Sequence, residues 1–129
     1  MKSREGLIRL KRFHVEEKRR RVSQIEAMIA EFDRMAKDLD DQIRSEQERS
    51  GIHDAGHFAY PTFAKAAMQR RDNLTASAGE LREQLAAAKA ASEEAAAELA
   101  KAEAIAERDN AAVAQRSGGD VRAASAGAR

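Results

Sequence analysis

Apolar residues in the first half of the chain fall at Ile8, Val15, Val22, Ile25, Ile29, Phe32, Ala36, Leu39 and Ile43. From Val22 onward the steps alternate between three and four, which is the a/d pattern of a heptad. Ile8, Val15, Val22, Ile29, Ala36 and Ile43 take a, and Ile25, Phe32 and Leu39 take d. Met28 and Met35 widen the stripe at g, whereas Lys11 and Lys18 occupy the upstream d positions. The seam therefore weakens toward the N-terminus. The pattern predicts a first helix over about 3–49, with Ser3 as a candidate cap. At 1.5 Å per residue that helix is about 70 Å long.

Between Ser50 and Pro61 the heptad stops, and this segment holds Gly51, Gly56 and the chain's single Pro. Proline disfavours helix at the residue before it, here Tyr60, and suits the first turn of a new one. A turn over about 50–61 follows, then a second helix over about 62–115. Its seam reads Leu74, Ala78, Leu81, Leu85, Ala88, Ser92, Ala95, Leu99, Ala102, Ala106 and Val113. About twenty of its residues are Ala. Alanine favours helix and lets a partner approach closely, but each buries little area. The Ser- and Gly-containing stretch over 116–129 predicts a disordered tail. The fold expected is all-α: two long helices forming an antiparallel coiled-coil hairpin.

Composition narrows the picture. Charged residues make up 35% and aromatics 4%, too few aromatics for a thick globular core but enough apolar positions for a two-helix seam. There is no Cys, which removes disulfides and thiolate metal sites. No apolar run reaches the roughly 18–20 residues of a membrane span, and no apolar signal core follows the charged start. A cytoplasmic chain is expected.

Charge is unevenly spread. Residues 1–21 carry nine Lys or Arg against three Glu, net +6. Residues 22–115 carry eleven basic and eighteen acidic side chains, net −7, and the remainder adds +2. An antiparallel hairpin would place both basic termini at one end.

Catalytic signals are absent: there is no phosphate-binding glycine loop, dinucleotide fingerprint or H-E-x-x-H. Adjacent carboxylates such as Glu16-Glu17, Asp40-Asp41 and Glu93-Glu94 point about 100° apart on a helix and share no site. His53, Asp54 and His57 on a Gly-containing turn leave metal geometry unspecified and read as ordinary loop residues. His14 reads as a surface residue. The expectation is a non-enzymatic chain with no cofactor and no metal.

Two features point to partners instead. Arg4, Arg9, Lys11, Arg12, Lys18, Arg19, Arg20 and Arg21 form a basic helical segment. An acidic protein surface or ring fits a polarised rod best. Nucleic acid would use the charge alone, without a base-reading motif; an anionic membrane surface would use Leu7, Ile8, Leu10 and Phe13 as anchors. The second feature is aromatic: Phe58, Tyr60 and Phe63, with Pro61, lie together in the turn. They could cap the seam, form a protein-binding hot spot, or do both. A homodimeric scaffold pairing through Leu10, Phe13, Met28 and Met35 is a further alternative.

The opening Met1-Lys2-Ser3-Arg4-Glu5-Gly6-Leu7-Ile8-Arg9-Leu10-Lys11-Arg12-Phe13 resembles the start of the FliJ family of flagellar export proteins. So do Val15-Glu16-Glu17-Lys18-Arg19-Arg20-Arg21-Val22, Gln24-Ile25-Glu26 and Phe32-Asp33-Arg34-Met35. The more specific phrase is His57-Phe58-Ala59-Tyr60-Pro61-Thr62-Phe63-Ala64-Lys65-Ala66 with Gln69-Arg70-Arg71-Asp72-Asn73-Leu74, similar to the alphaproteobacterial version. The likeness covers roughly residues 1–110. It implies an antiparallel coiled coil of the type III export apparatus at the flagellar base, peripheral to the inner face of the cell membrane. It further implies association with the export ATPase ring, the export gate's membrane protein and export chaperones, in support of flagellum assembly and motility. On that basis the basic end is expected to enter the ring, leaving Phe58, Tyr60, Pro61 and Phe63 for other partners.

Overall fold

The computed structural model describes the backbone of residues 2–127 and the side chains of residues 3–118. It contains α1 (Lys2–Ser50) and α2 (Thr62–Gly127), and no strand among the described residues. The heptad expectation is met by two long helices packed along their apolar faces. By contact the chain divides into two compact units: residues 1–19 with 91–129, and residues 20–90.

The unit of residues 20–90 holds the larger core. Ile25, Ile29 and Leu81 form a buried cluster, with Phe32, Leu85 and Ala88 packed against it. Ile43 and Ala78 are also buried. These are a and d positions, so heptad spacing carried them to the interface. Cross-helix ion pairs give the direction: Asp33 meets Arg82, and seven residues on, Asp40 meets Arg71. Partners move back along α2 as α1 advances, so the pairing is antiparallel.

The turn is built from local hydrogen bonds. Gly51 has φ of 74°, the left-handed conformation that commonly ends a helix, and its N–H reaches Gln47 O at 2.9 Å. Ser50 Oγ accepts the Ile52 N–H. His57 N to Asp54 O and Tyr60 N to His57 O close successive turns. Pro61 then presents its carbonyl to Lys65 N, and α2 begins at Thr62.

In the unit of residues 1–19 and 91–129 the interface is thin. Among its described residues only Val15 is a buried hydrophobic. Ile8, Ala95, Leu99 and Ala102 are half-buried. Arg4 pairs with Asp109, Lys11 with Glu98 and Arg12 with Glu103, again antiparallel.

Three expectations change. Val113 does not sit in the seam but is 47% exposed. Half-buried Asp109 and Ala112 follow Ala106 instead, because an unsupported α-helix drifts off a strict seven-residue repeat. Ser3 lies inside α1 rather than capping it. α2 runs past Gln115 to Gly127. The disordered tail expected over 116–129 falls largely on residues 119–129, whose side chains lie outside the described residues.

Candidate functional site

The basic segment was expected to act as one surface, and the structure divides it. Arg4, Lys11 and Arg12 are engaged by Asp109, Glu98 and Glu103 of α2. The Lys11 and Arg12 pairs span 3.7 and 3.5 Å. Arg9, Lys18, Arg19, Arg20 and Arg21 are exposed and make no ion pair among the described residues. Their guanidinium and ammonium groups are available to an acidic partner, whereas partner binding at Arg4 or Arg12 would compete with an existing carboxylate. Exposed pairs of this kind contribute about 0–1 kcal/mol, so such competition is cheap.

Lys11 and Lys18, the misfit d residues, do not close the seam. Together with His14 they line a groove of about 300 Å³ over Ala91 and Ala95, with Glu94 and Glu98 on the other side. A long amphipathic side chain opposite Ala leaves a gap that Leu opposite Leu would fill. The groove is thus the direct product of putting Lys at d against an Ala-rich helix.

The turn aromatics also separate. Tyr60 is buried. Its hydroxyl accepts from Gln47 Nε2 at 2.9 Å and donates to Met68 Sδ at 3.4 Å, tying the last turn of α1 to α2. Pro61 is half-buried. Phe58, by contrast, is 97% exposed and stacks on His57 with ring centroids 4.7 Å apart. Phe63 is 56% exposed. Tyr60 therefore caps the seam, and only Phe58 and Phe63 are presented outward. Side-chain polar atoms beside them are used internally: Asp54 Oδ1 accepts the Gly56 N–H and His57 Nδ1 accepts the Ala59 N–H.

One element escaped the sequence reading. A groove of about 450 Å³ is lined by Met35, Leu39 and Leu74, with Asp38, Gln42, Arg70 and Asn73 at its edges. Leu39 and Leu74 were assigned to the seam, yet both remain partly accessible. The signal available was Met35 at g, one position outside the stripe.

Among the described residues the single resolved shift in acidity belongs to Arg71. Its pKa is raised, first by the side-chain hydrogen bond to Asp40 and then by that to Asp72. This is an interhelical clamp and leaves Arg71 charged. Neither the protein-family models, nor the curated proteins, nor the solved structures compared with the chain give a match. Among the described residues no helix is long and apolar enough to cross a membrane.

Proposed function

We propose that the chain is a non-enzymatic component of the flagellar type III protein export apparatus. In this reading it binds the export ATPase ring as a stalk and links the ring to the export gate's membrane protein and to export chaperones. The likeness of the opening residues and of the His57–Leu74 phrase to the FliJ family supplies the identity. The structural observation that supports it is the set of exposed, ion-pair-free cations Arg9, Lys18, Arg19, Arg20 and Arg21 on a two-helix scaffold. A stalk needs helices stiff enough to transmit position and a charged surface that a ring of acidic side chains can grip without deep apolar burial. Charge complementarity of this kind gives orientation and fast association more than raw affinity.

The test is stimulation of the partner ATPase in solution by the intact chain. Changing Lys18, Arg19, Arg20 and Arg21 together to Glu should abolish the stimulation while leaving helical content unchanged. Gene deletion should abolish motility; a motile deletion strain would remove the flagellar assignment. Flagellar ATPase and basal-body genes beside this one would support it.

A further inference from the structure

The two flanks of the seam in the unit of residues 20–90 are closed differently. Asp33 and Asp40 stand at e, and both reach across to α2, Asp33 to Arg82 and Asp40 to Arg71. Met28, Met35 and Gln42 stand at g, on the opposite side of an a/d seam. None of these three carries a charge, so no ion pair closes that flank from g. It holds instead the apolar groove of Met35, Leu39 and Leu74. Met28, one heptad before Met35, is 43% exposed and Met35 is 42% exposed. Two methionines at heptad spacing beside a groove form a continuous, adaptable apolar face.

The rims of the groove carry opposite charges. Asp38 lies on the α1 rim and Arg70 on the α2 rim. Both are exposed, and neither makes an ion pair among the described residues. Asp38 is two residues before Asp40 and Arg70 one residue before Arg71, and Asp40 and Arg71 meet across the seam. In an antiparallel pair that places Asp38 and Arg70 within about one helical turn of the same level.

This arrangement is complementary to itself. A second copy laid face to face, related by a two-fold axis running along the groove, sets each α1 over the other copy's α2. Asp38 of each copy then faces Arg70 of the other, so the contact forms two equivalent ion pairs around one apolar centre. A two-fold axis across the helices at this level would instead set Asp38 against Asp38 and Arg70 against Arg70. One acid and one base give the face no net charge, so it offers no attraction to nucleic acid or to anionic lipid.

We propose that the face of Met28, Met35, Leu39 and Leu74 binds a second copy of this chain, with Asp38 of each copy paired to Arg70 of the other. From Met28 to Gln42 the face is about 21 Å long, and with two helices side by side it covers roughly 400 Å² per copy. That area belongs to weak, transient pairs rather than to obligate dimers. The dimer is therefore reversible and set by concentration. It does not rest on the export reading, and its assay needs only the chain itself.

Sedimentation equilibrium of the full chain, from micromolar to near-millimolar concentration, reads the mass directly. It should rise from 14.2 kDa toward twice that value and level off there. Met35→Glu puts a charge into the apolar centre and should weaken association roughly tenfold or more. Asp38→Arg and Arg70→Asp, each alone, should weaken it roughly tenfold, because two attractive pairs become two repulsive ones. Combining both changes in one chain should restore the dimer. Mixing the Asp38→Arg chain with the Arg70→Asp chain should restore it too, which a contact within one chain could not do. Circular dichroism checks that each variant stays helical; if Met35→Glu does not, the two exposed charge sites decide alone. A chain that stays monomeric throughout overturns the proposal. So does a mass that climbs past the dimer without levelling. Association undiminished by a helical Met35→Glu variant, or single charge variants rescued neither in combination nor by mixing, would overturn it by moving the contact to another face or axis.

Discussion

Gln47 Nε2 donates a 2.9 Å hydrogen bond to Tyr60 Oη, which in turn donates to Met68 Sδ. One phenol thereby spans the end of α1, the turn and the first turns of α2. Tyr60→Phe removes the hydroxyl and should lower stability by about 0.5–1.5 kcal/mol. Tyr60→Ala also empties the buried ring site and should cost roughly 3 kcal/mol or more. Urea unfolding followed by circular dichroism measures both. Phe58→Ala, removing a 97% exposed ring, should leave the unfolding midpoint unchanged.

The two units should differ in local stability. Large buried side chains (Ile25, Ile29, Ile43 and Leu81) lie in residues 20–90, whereas Val15 alone is buried among the described part of the other unit. Few buried apolar contacts mean low-energy local opening. Amide hydrogen exchange should therefore be fast over 3–14 and 95–115 and slow over 22–43 and 74–88. Uniform protection along both helices would contradict this. Ile25→Ala, at a site 1% exposed, should cost about 2–5 kcal/mol.

Filling the groove at Lys11 and Lys18 should strengthen the thin unit. The space over Ala91 and Ala95 is open, so Lys11→Leu gains apolar burial without overpacking. The expected gain is roughly 1 kcal/mol, read as slower exchange over 3–14. The same change removes a cation from the proposed ring-binding end, so stability and ATPase stimulation should move in opposite directions.

Arg71 is clamped by Asp40 at 2.8 Å and Asp72 at 3.0 Å. Its raised pKa means the folded state holds this proton more tightly than the unfolded state. The associated stability is fully present below the ordinary Arg value and is lost only as pH rises through the raised one, in strong alkali. Neutral-range pH changes should thus leave the Arg71 contribution constant. A double-mutant cycle of Arg71→Ala and Asp40→Ala should give about 0.2–1 kcal/mol of coupling that shrinks with added salt.

Gly51 should tolerate little. Its φ of 74° is left-handed, and no atom would meet an added Cβ within 4 Å. Gly51→Ala therefore tests backbone strain alone and should cost about 1–2 kcal/mol. Gly51→Asn should cost less, because Asn visits that region more readily. Thermal melts of the two variants provide the comparison.

The helices and their seam were legible because heptad spacing is a local, periodic signal. Val22 to Ile43 and Leu74 to Ala106 needed only the alternation of three and four. The turn was legible from Gly51 and Pro61, whose backbone constraints act within a few residues. Val113 was misplaced because a seam extrapolated by period ignores helix drift, and Asp109, held by Arg4, takes the inward position instead. The site was legible only as a list of cations and aromatics. Which cations are spent inside the molecule depends on carboxylates 87 to 105 residues away, and Tyr60 is spent on Gln47 and Met68 across the turn.

The residues by themselves determined two amphipathic helices, a turn near 50–61, a basic N-terminal segment and a thin seam opposite Lys11 and Lys18, since each follows from neighbours three to seven positions apart. Only the tertiary structure decided that Tyr60 turns inward while Phe58 turns out. It alone decided that Glu98, Glu103 and Asp109 engage Lys11, Arg12 and Arg4 while Arg9 and Lys18 to Arg21 make no ion pair among the described residues, and that Leu7, Leu10 and Phe13 stay half-exposed. These outcomes depend on the register and rotation of α2 against α1, which no local pattern in either helix specifies.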